Sequence, residues 1–159
     1  MTDVERRIMA AQGYLELGLH EEARDELNAL PEGSFDRADV LEITLLCMMG
    51  EHRWEEALSL GHRLCEIAPN EPGGFIHAAY CLHELGRTTD AMDLLKSGPK
   101  TLRTKAVYYY NLGCYEACLG HKDEAVKLLL QSFEMDGSLR QIARKDPDLD
   151  PVRARLERT

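Results

Sequence analysis

Cys114 and Cys118 stand four residues apart, and His77 and Cys81 repeat that spacing earlier in the chain. On a helix this interval places two side chains on one face, so these residues, with His83 and His121, form a set of soft donors that a metal ion could share. The tight Cys-x-x-Cys pairs that mark zinc sites are absent. Cysteine also serves as a small apolar filler between packed helices, and Cys47 and Cys81 lie 34 residues apart, as a recurring packing slot would. Packing accounts for these cysteines better than ligation. No metal ligand, catalytic residue or cofactor is therefore assigned, and a metal- or thiol-dependent enzyme using the Cys and His cluster is kept as an alternative.

Other chemistry leaves no trace. The chain has no phosphate-cradling Gly-x-x-x-x-Gly-Lys-Ser/Thr loop, no His-Glu-x-x-His and no Gly-x-Ser-x-Gly. His20-Glu-Glu and His83-Glu-Leu lack the second histidine of a zinc helix. The acidic pairs Glu21-Glu22 and Glu55-Glu56 suit the first turn of a helix, where negative charge meets unpaired N–H groups. A non-enzymatic protein is expected.

The elements that position these residues follow from a repeat. Ala23, Ala57, Ala91 and Ala125 are spaced 34 residues apart, each after a charged lead-in and before an apolar stretch. Five residues before three of them stand Gly18, Gly86 and Gly120; in the second copy that place is His52, with Gly50 displaced upstream. Such a period indicates stacked helical hairpins, an all-α solenoid in which each pair buries its core only against neighbours. Apolar spacing of three and four predicts first helices near residues 4–17, 37–49, 73–85 and 103–119, and second helices near 20–30, 54–68, 88–97 and 122–135. Thr2-Asp3-Val4-Glu5 can cap the first. Trp54 is expected to fill the seam between hairpins. Residues 138–159, with Leu139, Ile142, Leu149, Val152 and Leu156, are expected to form a helical cap whose last helix begins at Asp150-Pro151.

Composition narrows the partners. Against 28 acidic residues stand 19 basic ones, a net charge of −9, and residues 1–70 alone hold 15 acidic and 6 basic side chains. Nucleic acid, bound through Lys and Arg, is a poor ligand for such a surface, whereas a basic peptide is a good one. Five cysteines without framework spacing suit a reducing compartment. The N-terminus lacks an apolar signal core and no run spans a bilayer, so a cytoplasmic location without membrane insertion is expected.

The pattern resembles the tetratricopeptide repeat. The fourth copy carries Tyr109-Tyr-Asn-Leu-Gly113, Gly120-His-Lys-Asp-Glu-Ala125 and Leu129; the third carries Phe75, Ala78-Ala79, Leu82, Gly86, Ala91 and Leu95; the first carries Ala10-Ala11, Tyr14, Gly18, Ala23 and Leu27. The resemblance covers about residues 4–137, as repeats 4–37, 38–71, 72–105 and 106–137 of a single domain 1–159 closed by the cap 138–159. It implies a right-handed superhelix of four antiparallel helix pairs with a concave wall made by the first helices. Carried onto this chain, the inward places include Glu5, Met9, Gln12 and Glu16, then Asp39, Glu42, Ile43, Leu46 and Met49. The third repeat adds Ile76, His77, Tyr80, His83 and Glu84, and the fourth Tyr110, Asn111 and Cys114. The family members that grip chaperone C-termini place Lys, Asn and Arg on this wall; here those places hold residues such as Ile8, Gln12, Ile43 and His77, without the cations a carboxylate needs. The resemblance implies an adaptor or scaffold holding a peptide or helix of a protein partner, with apolar anchors and basic residues. Self-association through the end faces is also open. Phe75-Ile-His-Ala-Ala-Tyr-Cys81-Leu further resembles small tetratricopeptide chaperones of type III secretion, which implies a chaperone for a secreted protein as an alternative.

Overall fold

The computed structural model describes residues 1–159. Eight helices form four successive pairs: α1 (Asp3–Glu16) with α2 (His20–Asn28), α3 (Ala38–Gly50) with α4 (Trp54–Ile67), α5 (Gly73–Glu84) with α6 (Thr88–Ser97), and α7 (Ala106–Cys118) with α8 (Lys122–Met135). Two short helices follow, α9 (Leu139–Ala143) and α10 (Arg153–Glu157), with 3-10 turns at Ser34–Asp36, Lys100–Thr104 and Pro147–Val152. No strand is present, and no helix is long and apolar enough to cross a membrane. The chain divides into two compact units, Met1–Cys81 and Leu82–Thr159, with α5 running across the boundary.

The alanine register is literal. Ala23, Ala57, Ala91 and Ala125 are each the fourth residue of an even-numbered helix and each 0% exposed. Their N–H groups donate to the carbonyls of Leu19, Arg53, Arg87 and His121, every bond 3.0 Å long. The turn before each pair's second helix is left-handed in all four copies, with φ of 74° at Gly18, 60° at His52, 80° at Gly86 and 85° at Gly120. The geometry that the repeat requires is thus imposed on His52 despite its Cβ, which L-residues accommodate poorly there.

In the first unit, Ile8, Ala11, Ala23, Leu27, Leu30, Val40, Ile43 and Cys47 form one core cluster across α1, α2 and α3. The expected cap of α1 is present: Glu5 N–H donates to Thr2 Oγ1 at 3.2 Å and Thr2 N–H to Glu5 Oε2 at 2.7 Å. Trp54 packs its ring 5.4 Å from that of His52 and 5.9 Å from that of Tyr80, bridging the second pair and the start of the third. Gly61 lets α4 approach α5, since a methyl group there would lie 2.8 Å from Ala78 Cβ.

In the second unit, α7 and α8 press together at Gly113, where a Cβ would meet Leu129 Cγ at 2.6 Å. Two sequence expectations are corrected here. Helix α7 begins at Ala106 rather than 103, because Lys105 is extended and the residues before it close a 3-10 turn. The last helix begins at Arg153 rather than at Asp150-Pro151: Pro151 lies inside the 3-10 turn Pro147–Val152, where it withholds an N–H from the Asp148 carbonyl. Leu149, Val152 and Leu156 of the tail are buried against α7 and α8, whereas Ile142, expected to pack, is 55% exposed.

Candidate functional site

On α1, Gln12, Leu15 and Glu16 share a face, and on α3 the spacing of Asp39, Glu42, Ile43 and Leu46 does the same. These seven residues line a cavity of about 290 Å³ between the two helices. Leu15, Ile43 and Leu46 supply its apolar surface; Gln12, Glu16 and Asp39 are exposed at its rim, and Glu42 is half-buried. Leu15 is a residue the sequence analysis passed over, although it stands three places from Gln12 and so on the same stripe.

Two carboxylates of this site, Asp39 and Glu42, and Glu5 on the same helix as Gln12 are pushed toward their charged form. The Arg37 guanidinium donates to Asp39 through Nε at 3.0 Å and Nη2 at 2.8 Å, and this pairing lowers the Asp39 pKa. Glu42 is lowered by its hydrogen bond to His77, 3.4 Å away. Glu5 is lowered by the backbone and side chain of Thr2 that it caps. Arg37 neutralises part of the acidic rim, and Glu16 Oε1 accepts from the Gln12 amide at 3.4 Å.

Of the other residues expected on the wall in this unit, Met9 is 61% and Tyr80 37% exposed, and Met49, Ile76 and His77 are half-buried. In the second unit Glu84 is exposed and His83 half-buried. Tyr110, Asn111 and Cys114 are a correction. They are only 6%, 9% and 5% exposed, so they line no open groove. The C-terminal segment covers this face of α7: the Tyr110 hydroxyl donates to Asp146 Oδ2 at 2.7 Å, and the Cys114 thiol approaches the same oxygen at 3.7 Å.

The same segment gathers part of the Cys and His set. His83 Nε2 lies 2.8 Å from Asp148 Oδ2, and the Cys118 thiol approaches the Asp148 carbonyl at 3.9 Å. One donor atom each from His83, Cys118 and Asp148 falls within 4.8 Å of the others. The other two histidines of the set are engaged elsewhere, His77 with Glu42 and His121 with the buried Glu116. Asp148 was out of reach of the sequence analysis because it lies in an aperiodic tail. Partial desolvation of its sulfur, with help from Asp148, pushes the otherwise exposed Cys118 up to about 11, and burial with Asp146 raises Cys114 and Tyr110 further. These are poor nucleophiles near neutral pH.

No protein-family model matches the sequence, and no match is found among curated proteins. Among solved structures, the chain is similar to MamA 41-end from Desulfovibrio magneticus RS-1, with a TM-score of 0.73, 15% identity, and coverage of 99% of this chain and 97% of that one. A MamA RS-1 ArsTM double mutant gives a TM-score of 0.70 at 14% identity, covering 99% and 96%. The likeness spans the whole chain and establishes an all-α helical repeat fold. Nothing in it supports the resemblance to secretion chaperones.

Proposed function

We propose that the chain is a non-enzymatic interaction module of the tetratricopeptide type, and that it holds a segment of a protein partner in the cavity between α1 and α3. The observation that carries this reading is the pairing of an apolar floor, Leu15, Ile43 and Leu46, with the carboxylates of Glu16, Asp39 and Glu42 at its edge. A segment with an apolar anchor flanked by Lys or Arg fits that chemistry. The acidic excess of residues 1–70 would speed its approach, an effect that salt weakens over a screening length of about 8–10 Å. Met9 and Tyr80 are further exposed apolar side chains of the first unit. The all-α repeat fold suits a scaffold, and the poor nucleophilicity of the thiols gives the enzyme alternative no support.

A partner retained from the native host at low salt and released at high salt is the ligand to titrate. Leu46→Ala and Tyr80→Ala should each weaken binding more than Glu16→Gln does, by on the order of 1 kcal/mol. Glu16→Gln should instead slow association and flatten its salt dependence. Unchanged affinity in all three variants, or a footprint confined to α2 and α4, would remove the groove reading.

A further inference from the structure

We infer that His83, Cys118 and Asp148 form a binding site for one divalent ion of the zinc class, which ties the C-terminal segment to α5 and α7. The donors are an imidazole nitrogen, a sulfur and a carboxylate oxygen, all within 4.8 Å of one another. Nitrogen and sulfur suit zinc or cobalt, while magnesium and calcium take oxygen almost alone. Bonds of about 2.0–2.3 Å in a tetrahedron set the donors roughly 3.3–3.8 Å apart. The sulfur must therefore close on the other two donors by about 1 Å, a movement that rotation of the exposed Cys118 side chain supplies, while His83 Nε2 and Asp148 Oδ2, 2.8 Å apart, open by about 0.5 Å.

The surroundings of the three donors already have the form that ligation requires. His83 Nδ1 is 2.9 Å from Thr88 Oγ1, the outer hydrogen bond that fixes a ligating ring and leaves Nε2 for the metal. The ring is further held 4.9 Å from that of Tyr115. Asp148 is placed by its own N–H, which donates to Asp146 Oδ1 at 3.1 Å. The turn that carries it is clamped by Arg153, whose guanidinium donates to the carbonyls of Ala143, Arg144 and Asp146 at 2.9, 2.6 and 2.6 Å. Ligation replaces the hydrogen bond between His83 and Asp148. Cys118 loses its proton to solvent on forming the sulfur bond, and His83 binds as the neutral ring with its remaining N–H directed to Thr88. Water completes the tetrahedron, because Cys118 opens the site to solvent. The chemistry is that of a structural clasp.

The test is titration of the reduced full-length chain with Co²⁺ alone, followed by competition with Zn²⁺. One Co²⁺ per chain is expected, with the near-ultraviolet sulfur-to-cobalt charge-transfer band and tetrahedral visible bands, both removed by Zn²⁺. Cys118→Ser, at an exposed position that the fold does not need, should abolish the charge-transfer band and weaken binding at least tenfold. Thr88→Val should weaken it about tenfold while keeping the band. His121→Gln should change nothing. Zn²⁺ should also raise the melting temperature of the wild-type chain and not that of Asp148→Asn. Absence of saturable cobalt binding, or a cobalt spectrum that Cys118→Ser leaves intact, would overturn the site.

Discussion

Leu45 and Gly61 exchange the sizes that the repeat assigns to their places. In the other three copies the place of Leu45 is small, Ala11, Ala79 or Gly113, and the place of Gly61 is a buried leucine, Leu27, Leu95 or Leu129. In the second copy the leucine has moved to α3 and the glycine to α4, where a methyl group on Gly61 would lie 3.3 Å from Leu45 Cδ1. Volume at the helix crossing is conserved while its source is reversed.

The fourth copy allows a direct test of that coupling. Gly113→Ala drives a Cβ to 2.6 Å from Leu129 Cγ and should cost about 1–3 kcal/mol through overpacking. Leu129→Ala should cost about 2–5 kcal/mol by opening a cavity. Because the alanine at 129 vacates the space the new methyl needs, the double variant should cost about 1 kcal/mol less than the two single losses together. Urea denaturation of all four proteins measures this, and strict additivity would refute the size exchange.

His52 should be a site of easy stabilisation. Its φ of 60° lies where three sibling turns use glycine, and a non-glycine residue held there costs roughly 1–3 kcal/mol. His52→Gly relieves that strain, offset by unfolded-state entropy and by the lost ring contact with Trp54. The expected gain is about 1 kcal/mol, or about 2–4 °C in melting temperature. A lower melting temperature would show that the Trp54 contact outweighs the backbone strain.

Cys65 should resist alkylation in the native chain. Burial raises its pKa to about 11, so about 0.1% is thiolate at pH 8, against a much larger share of an unfolded cysteine near 8.5. The native thiol stays protonated where the unfolded one ionises, so its contribution to stability is complete below about pH 8.5 and is lost as the pH rises toward 11. Iodoacetamide modification followed by peptide mass spectrometry should give a rate that climbs about tenfold per pH unit from 8 to 10. A rate already maximal at pH 8 would contradict this.

The sequence carried the architecture because the constraint is periodic. A small residue must recur where α2, α4, α6 and α8 start, and four alanines in one register located those helices to within two residues. The exchange at Leu45 and Gly61 was hidden because it concerns a pair of places, each of which alone merely departs from the pattern. For the wall, one face was legible on α1 and α3, where Gln12, Glu16, Asp39, Glu42, Ile43 and Leu46 meet. On α7 it was not, because Asp146 and Asp148 come from a tail whose turns follow Pro147 and Pro151 rather than any helical period.

The burial of Tyr110, Asn111 and Cys114 means that the chain acts as its own competitor at the last repeat. A tethered segment sits at an effective concentration that a free peptide in solution seldom reaches. This face of α7 is therefore open to another segment only when the tail is displaced from it.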